Sequence, residues 1–352
     1  MPLRRQLPLR LLLFIALIAA ALILSACGEN LPATTLYPEG THARRVYDLL
    51  IPIFWAALGV FVVVEGLLVY SVVRFRQRPD SGIPTQIHGN TRIEIAWTIA
   101  PALILLVIAV LTFRTQAEQS VQPQNALKIQ VTGHQWWWEF KYPDQNIATA
   151  ADMYIPVGQD VTVELTGADV IHSFWMPKLA GKTDAIPGHQ NYISFKAEQP
   201  GIYHGLCAEF CGEQHAVMRF RVVVVPQDVF QSWVAQRQAA PPPPPDNIKQ
   251  IFLQRGCVGC HSISGFKEAA GTIGPNLTFF GNRETIAAGA LPNTPDNLKL
   301  WLHDPNAVKS GNTMGKTIGQ GEGKIVLTDQ EINDLVGYLE GMKVQITKPE
   351  QR

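Results

Sequence analysis

Four soft metal-binding side chains fall within the segment 207–218. They have the spacing Cys-x3-Cys-x3-His-x2-Met and are Cys207, Cys211, His215 and Met218. Sulfur and imidazole ligands favour copper over magnesium or calcium. His172, upstream in a strand-like run, adds a second imidazole. Because a one-copper electron-transfer site needs a single cysteine, this set holds enough ligands for two copper ions bridged by the two sulfurs.

A second chemical motif is Cys257-Val-Gly-Cys260-His261. Cys-x-x-Cys-His is the attachment motif of c-type haem, in which both thiols bond to the haem and the histidine binds its iron. A redox Cys-x-x-Cys or half of a zinc site would share the first four positions. No second cysteine pair follows in the sequence, which disfavours zinc, and no thioredoxin-like pattern surrounds the motif.

Length and composition set the frame around these motifs. A chain of 352 residues is long enough for two domains and membrane segments. Its formal net charge is zero, so nothing indicates nucleic-acid binding. Each of the 5 cysteines has an expected role, the fifth being Cys27, so no pair is left for a structural disulfide.

Residues 1–26 are typical of a lipoprotein signal peptide, with a basic start and an apolar stretch at 11–24. The tetrapeptide LSAC at 24–27 is similar to a bacterial lipobox, which predicts cleavage before Cys27 and lipid attachment to it. The alternative is an uncleaved first transmembrane helix with an incidental cysteine. The small residue before Cys27 and the glycine after it favour the lipoprotein.

Region 27–118 is expected to hold the lipid-anchored N-terminus and a transmembrane hairpin. Two apolar segments, at about 49–73 and 95–113, are each long enough to span about 30 Å of hydrocarbon. The connection between them carries four arginines, which predicts a cytoplasmic loop and places both long ends on the outer face. Glu65, mid-span, is expected to face protein, either in a proton path or, as we favour, in a contact with a partner subunit.

Region 119–236 is typical of a β domain. Apolar residues alternate at 128–132 and 161–165, and 220–225 is a β-branched run, so each predicts a strand. Proline and glycine punctuate the gaps between the runs. Short strands separated by such turns indicate a Greek-key sandwich or barrel.

A proline-rich linker at 237–246 separates the β domain from a C-terminal region, 247–346. Its five consecutive prolines predict a semi-rigid spacer of about 15 Å. Near the end of that region, the segment from Thr328 to Leu339 is amphipathic and predicts a final helix.

The soft-ligand motif, the hairpin and the segment 94–101 (EIAWTIAP) resemble cytochrome c oxidase subunit II. The haem motif and the segment 274–277 (GPNL) resemble a class I cytochrome c. Together the resemblances cover nearly the whole chain. They imply a multidomain membrane protein with a two-helix transmembrane hairpin, a β-sandwich or barrel of cupredoxin type, and an all-α cytochrome c domain. That order is similar to bacterial oxidases with a tethered donor cytochrome.

The resemblance implies roles for the soft ligands. Cys207 and Cys211 are expected to bridge both copper ions of a binuclear centre. His172 and His215 each terminate one copper, and Met218 completes one coordination sphere.

Glu209 is expected to act twice. Its main-chain carbonyl completes the other copper sphere, and its carboxylate reaches a magnesium or manganese ion at the interface with subunit I. The alternative for the carboxylate is an ordinary surface acid. Glu94 is expected near the entrance of a proton channel of subunit I; without the resemblance it is a helix-start carboxylate stabilised by the helix dipole.

An aromatic run includes Trp136, Trp137 and Trp138. Neighbours in a strand point to opposite sides, so the three cannot all face one core. In the family, the position of Trp136 lies between the copper centre and the docked electron donor, which implies an electron-transfer role. The alternative is packing inside the barrel.

For the C-terminal domain, the resemblance implies a covalent haem c on Cys257 and Cys260, with His261 as the proximal ligand. The carbonyl of Pro275 is expected to accept a hydrogen bond from that imidazole. Met314, in a glycine-rich loop, is the expected distal ligand, and Met342, beyond the final helix, is a poorer candidate.

These resemblances predict the subunit through which electrons enter a respiratory cytochrome c oxidase. Electrons would pass from cytochrome c or another periplasmic donor to haem c, to the two coppers and to haem in subunit I. There oxygen is reduced to water with proton pumping, at a site on another chain. The expected partners are subunits I and III, and the expected location is the bacterial plasma membrane, with the copper and haem domains outside.

Three other classes fit less well. A quinol oxidase subunit II shares the hairpin and barrel but lacks the copper ligands. A nitrous oxide reductase shares the copper motif but needs a larger His-rich catalytic domain, whereas this chain has 9 His. A copper-delivery or metal-sensing protein would favour exposed Met- and His-rich loops over a haem domain and a hairpin.

Overall fold

The computed structural model describes residues 31–77, 82–83, 85–239, 241–346 and 349, together with 14, 15, 17, 18 and 21. The expected lipid attachment at Cys27 lies outside the described residues, as does most of the signal peptide.

Two long helices form the hairpin, α1 (Thr41–Arg74) and α2 (Thr91–Gln119), and both extend beyond the predicted spans. By length and composition, both could cross a membrane. With 34 residues, α1 is about 50 Å long, which exceeds the hydrocarbon thickness. Its first turn packs on the β domain, where the amide of the buried Ala43 donates to the Leu179 carbonyl at 3.2 Å. The hairpin is therefore anchored directly to the domain that follows it.

The β domain is a sandwich of two five-stranded sheets. Its strands are β1 (Leu127–His134), β2 (Trp137–Tyr142), β3 (Ile147–Ala150), β4 (Asp152–Pro156), β5 (Asp160–Gly167), β6 (His172–Met176), β7 (Ala180–Ala185), β8 (Asn191–Lys196), β9 (Gly201–Cys207) and β10 (Arg219–Val225). The first sheet has the order β3-β2-β1-β5-β8 and the second β4-β10-β9-β6-β7. The three predicted strands lie within β1, β5 and β10, which confirms the predicted sandwich of cupredoxin type.

Alternating burial along the strands builds the core between the sheets. In β1, Ile129 and Val131 are fully buried, whereas Lys128 and Gln130 are exposed. Trp138 packs edge-on against Phe174 and Phe220, with ring centroids 5.2 and 5.7 Å away. Each fully buried side chain of this kind contributes about 1.5–3 kcal/mol.

Helix α3 (Gln227–Gln238) closes the sandwich and extends past 236, where the sequence predicts that the β domain ends. Its Trp233 is buried and stacks on Tyr154 with ring centroids 4.9 Å apart. The proline segment 241–245 has no regular structure, but Pro241 and Pro244 are buried. The linker therefore lies packed against the protein.

The C-terminal region is helical apart from one small two-stranded sheet. Its helices are α4 (Asp246–Gln254), α5 (Pro295–His303), α6 (Pro305–Val308), α7 (Thr313–Thr317) and α8 (Asp329–Gly341), and its strands are β11 (Thr285–Ile286) and β12 (Leu291–Pro292). Helix α8 is the predicted final helix. It begins with a capping box in which the Glu331 amide donates to Thr328 Oγ1 at 3.2 Å and the Glu331 carboxylate accepts from the Thr328 amide at 2.7 Å.

Candidate metal and haem sites

The two thiols of the soft-ligand motif meet at one end of the sandwich. Cys207 ends β9 and Cys211 lies in the loop that follows, and their sulfur atoms are 3.8 Å apart and buried. The amide of Cys207 donates to the Met218 carbonyl at 3.0 Å, which joins the two ends of this loop. The loop is therefore closed at its base by a main-chain hydrogen bond.

His172 comes from a different strand, at the start of β6. Its Nδ1 lies 3.9 Å from Cys207 Sγ, while its Nε2 lies 2.8 Å from an oxygen of Asp169. The donor atoms of His172, Cys207 and Cys211 all lie within 4.8 Å of one another. Because Asp169 holds Nε2, it leaves Nδ1 facing the sulfurs, as a carboxylate behind a ligating histidine does.

The remaining soft ligands also converge on Cys211. Its sulfur is 3.7 Å from His215 Nδ1 and 3.7 Å from Met218 Sδ. His215 lies in a short 3-10 helix, and the fully buried Met218 directly precedes β10. All five predicted soft side chains are thus brought together.

Electrostatics within the thiol pair favour cation binding. The contact with the Cys211 sulfur lowers the pKa of Cys207, and His172 lowers it further, although burial opposes this. A thiolate at Cys207 in turn raises the pKa of Cys211, and burial adds to that rise. The pKa of one thiol therefore lies below its ordinary value and that of the other above it. Two thiolates, two imidazoles and a thioether fit two copper ions by ligand softness.

Glu209 presents its two ends to different surroundings. Its main-chain carbonyl oxygen lies 3.2 Å from Cys207 Sγ, inside the cluster. The residue itself is exposed. The carbonyl is thus near the candidate copper site, and the side chain lies at the surface.

The three consecutive tryptophans have three different surroundings. Trp138 is fully buried in the core, and Trp137 stacks on His134 with ring centroids 4.2 Å apart. Trp136 lies in the turn between β1 and β2, where its indole N–H donates to the Cys211 carbonyl at 3.0 Å. The side-chain amide of Gln135 donates to the same carbonyl at 2.7 Å. The turn is therefore bound to the loop between β9 and β10, residues 208–218, which is the copper loop.

A large cavity lies in the C-terminal domain around the Cys-x-x-Cys-His motif. It is lined by Cys257, Cys260 and His261, and by Met314 from α7. Most of the lining surface is apolar, as a porphyrin would require. The two thiols, the imidazole and the apolar walls together fit a covalently attached haem.

The imidazole of His261 is oriented by a main-chain group. Its Nδ1 lies 2.8 Å from the Pro275 carbonyl oxygen, which leaves Nε2 for iron. Burial lowers the pKa of His261 and so favours the neutral ring that metals bind. Gly274 permits this approach, because a Cβ there would lie 2.6 Å from the ring. Met342 packs against the domain core and is not among the residues that line the cavity.

The sandwich completes the wall of this cavity. Gln135, Trp136 and Trp137 line it together with residues of the C-terminal domain. Trp136 thus contacts the copper loop through its N–H and also lines the haem cavity. Sequence reasoning left the relative position of the two domains open.

Lys309 lies buried at the same contact, and sequence reasoning assigned it no role. Its ammonium donates to the carbonyls of Trp136, Ala287 and Val217 at 2.8, 3.1 and 3.4 Å. Burial lowers its pKa to about 7. Asp169 was missed as well, because an acid three residues before a histidine is too common in sequences to indicate a supporting carboxylate.

The two glutamates of the hairpin to which the sequence assigns a role lie in helices remote from the sulfur cluster. Glu94 is exposed in the first turn of α2, where its carboxylate accepts from the Asn90 amide at 3.2 Å. Glu65 is exposed at the middle of α1, beside a groove that α2 also lines. Neither residue is brought to the candidate copper site.

Three family models match successive parts of the chain. Residues 41–115 match the cytochrome c oxidase subunit II transmembrane domain, and residues 146–227 match the periplasmic domain of the same subunit. Residues 245–343 match cytochrome c.

The chain is also similar to whole proteins over nearly its full length. The chain is 37% identical to cytochrome c oxidase subunit 2 of Alkalihalophilus pseudofirmus, over 94% of this chain and 97% of the relative. It is 36% identical to the subunit 2 of Bacillus sp. strain PS3, over 92% and 95%. Among solved structures, it is 36% identical to the periplasmic domain of subunit II of cytochrome oxidase from Bradyrhizobium japonicum. That match covers 34% of this chain and 97% of that one, with a TM-score of 0.33.

Proposed function

The chain belongs to the cytochrome c oxidase subunit II family and carries a cytochrome c domain, and we propose that it is the subunit through which electrons enter a respiratory oxidase. Cytochrome c or another periplasmic donor supplies electrons to haem c, from which they continue to the binuclear copper centre. They then reach subunit I, where oxygen is reduced to water with proton pumping.

The observation that carries this proposal is the position of Trp136. Its indole N–H donates to the carbonyl of Cys211, and its ring lines the cavity that holds His261 and Met314. A single residue therefore contacts both redox sites. A short, rigid connection of this kind favours electron transfer between them.

Within this proposal, the chain's own residues hold the two cofactors. Cys207 and Cys211 bridge two copper ions, His172, His215 and Met218 bind at their outer positions, and the Glu209 carbonyl completes the set. Bound copper and haem supply the one-electron redox chemistry.

The haem side has an equally complete ligand set. Cys257 and Cys260 carry the haem, and His261 and Met314 bind its iron. The apolar cavity wall excludes water from the haem and so helps to set its potential.

We assign further roles from the same family membership. The Glu209 carboxylate reaches a magnesium or manganese ion at the interface with subunit I, and Glu94 lies at the proton-channel entrance. From the lipobox-like segment at 24–27, and not from the family, we propose that Cys27 carries the lipid anchor. Both large domains lie on the periplasmic face, and subunits I and III are the membrane partners.

The proposed domain boundaries follow the same assignments. The hairpin region is 27–118 and the copper domain 119–236. The linker is 237–246 and the haem domain 247–346, and the signal peptide proposed before them is 1–26.

The first experiment is a visible and near-infrared spectrum of the purified full chain, with copper and iron measured per polypeptide. We expect two coppers, one haem that resists denaturation, and a mixed-valence copper band in the near infrared. A haem spectrum without the copper band would refute the proposed electron route. A copper band without haem would leave the sandwich as the direct acceptor of an external donor.

A further inference from the structure

Lys309 is a buried cation shared by the two domains. The residue is only 3% exposed. An ammonium group has three N–H donors, and three carbonyls accept from it. Two acceptors, Trp136 and Val217, belong to the sandwich, and Ala287 belongs to the haem domain. The donor capacity of this cation is therefore satisfied only when the two domains are together.

The two acceptors in the sandwich flank the candidate copper site. Trp136 donates its own indole N–H to the carbonyl of Cys211. Val217 directly precedes Met218, whose sulfur lies 3.7 Å from Cys211 Sγ. The ammonium of Lys309 thus connects the turn that carries Trp136 with the end of the copper loop.

The same segment reaches the haem cavity on its other side. The Asn312 side chain donates to the Lys309 carbonyl at 2.5 Å and accepts from the Gly315 amide at 2.8 Å. That second bond caps α7, the short helix that carries Met314. Lys309 is therefore joined by one buried side chain to the helix of the expected iron ligand.

The residues after Lys309 continue the contact with the copper loop. Ser310 Oγ donates to the carboxylate of Glu213, which lies two residues after Cys211. At Gly311, φ is +72°, and a Cβ would lie 2.7 Å from that carboxylate and 3.8 Å from the Trp136 ring. A glycine here allows both the backbone conformation and the close approach.

We infer that Lys309 is a positioning residue that holds the haem domain on the copper loop, with the Trp136 ring against the haem cavity. This inference rests on the proposed electron-transfer function and adds to it the element that sets the relative position of the two redox sites. When the domains separate, the ammonium returns to water and the carbonyls of Trp136 and Val217 lose it as a donor.

A hydrogen-bonded buried charge fixes the relative position of the two domains more strictly than apolar packing does. A buried charge is costly unless it is fully hydrogen-bonded. Here three carbonyls must converge on one nitrogen, so a shifted arrangement of the domains would leave the charge unsatisfied. Apolar packing alone would tolerate such a shift.

The test compares Lys309→Met with wild type in the full-length protein loaded with both cofactors. Methionine has a similar length and no donor, so three interface carbonyls lose their partner. A direct reporter of docking exists, because the Arg219 amide in the sandwich donates to the Ala288 carbonyl of the haem domain at 3.0 Å. We expect hydrogen exchange of that amide to quicken at least about tenfold in the variant.

A second readout separates positioning from general destabilisation. After photoreduction of the haem, internal transfer to copper should slow at least about threefold in Lys309→Met, since the docked state is less populated. Reduction of the haem by an external reagent and the copper and haem spectra should stay unchanged.

Two further variants make the outcome decisive. Lys299→Met removes an exposed lysine from α5 of the same domain. It should change neither the hydrogen exchange of the Arg219 amide nor the rate of electron transfer from haem to copper. Ser310→Ala removes only the donor to Glu213 and should quicken exchange at Arg219 by a smaller factor. If Lys309→Met fails to fold, Ser310→Ala carries the test.

The outcomes distinguish this inference from the proposed function. Normal exchange and normal internal transfer in a fully loaded Lys309→Met protein would overturn the positioning role alone. A wild-type protein without copper or haem signals would overturn the proposed function instead.

Discussion

The copper site and the haem site of this chain are built in opposite ways. In the sandwich, neighbouring donor atoms already lie 3.7–3.9 Å apart, on strands and a loop closed by main-chain hydrogen bonds. In the C-terminal domain, His261 and Met314 line an open cavity, part of whose wall belongs to the sandwich. The first site consists of donor atoms in direct contact with one another, whereas the second consists of ligands placed around a large apolar cavity.

This difference predicts which domain depends on its cofactor. A rigid β-sandwich with its own aromatic core remains folded when metal is removed. A small helical domain around a cavity is stabilised by whatever fills that cavity, since a ligand that binds only the folded state adds to its stability. Four variants would test this comparison.

The largest effect is expected from Cys257→Ser combined with Cys260→Ser. Without either thiol, no covalent bond holds the haem, so the C-terminal domain should lose its order while copper binding persists. Haem staining after denaturing electrophoresis and amide exchange in α8 measure the two consequences. A haem that still resisted denaturation would contradict the attachment site.

The matched change in the other domain is Cys211→Ser. It removes one of the two bridging sulfurs but leaves a residue of similar size in a loop. We expect the near-infrared copper band to vanish while the sandwich stays folded and the haem spectrum is unchanged. Near-infrared absorption and near-ultraviolet circular dichroism check both points, and a persistent mixed-valence band would show that Cys211 does not bridge the coppers.

A smaller effect is expected from Asp169→Asn, which weakens the group behind His172. Loss of such a supporting carboxylate typically lowers metal affinity by about 10–100-fold. Competition with a copper chelator measures the change. Asp144→Asn, at an exposed position in a short 3-10 helix, is the control and should bind copper as wild type does. Equal copper affinities in the two variants would show that Asp169 does not support the copper site.

The smallest effect is expected from Glu331→Gln in the haem domain. The Arg255 guanidinium, 2.8 Å away, holds the pKa of Glu331 below its ordinary value. Glutamine keeps the capping box but loses the charge, so we expect a loss of less than about 1 kcal/mol at pH 7.

The pH dependence of that loss follows from the sign of the shift. A lowered carboxyl pKa stabilises the folded state above the unfolded-state pKa of about 4.3, and this stabilisation disappears as pH falls through the folded-state value. Denaturation of the loaded proteins is followed by haem absorbance at pH 7 and below pH 4. We expect the free energies of unfolding of wild type and Glu331→Gln to differ at pH 7 and to converge below pH 4. If the difference in the free energy of unfolding stayed the same at both pH values, the loss would come from the helix cap and not from the ion pair.

Much of this architecture could be predicted because its causes are local. Long apolar runs predict the hairpin, alternation predicts β1 and β5, and the amphipathic segment after Thr328 predicts α8. The helices exceed the predicted spans because helical turns with polar residues extend them: α1 begins at Thr41, where Ala43 packs on the sandwich, and α2 continues to Gln119. Hydropathy detects only the part that would face lipid.

The candidate site was predictable as a set of ligands but not as a set of supports. The spacing of Cys207, Cys211, His215 and Met218 is itself chemical information, because few sites other than copper use it. Asp169 carries no such pattern, since an acid near a histidine is common in sequences. Its role depends on β6 turning the His172 ring towards the sulfurs.

The sequence by itself determined which chemical groups are present: the soft ligands, the haem attachment motif, the hairpin and the linker. Only the tertiary structure decided that the linker is packed, that Trp136 contacts both sites and that Lys309 lies between the domains. The physical reason is that ligand identity and periodicity are properties of short segments. The contact between domains depends on carbonyl groups that every residue has, and their value as acceptors arises only when three of them converge in space.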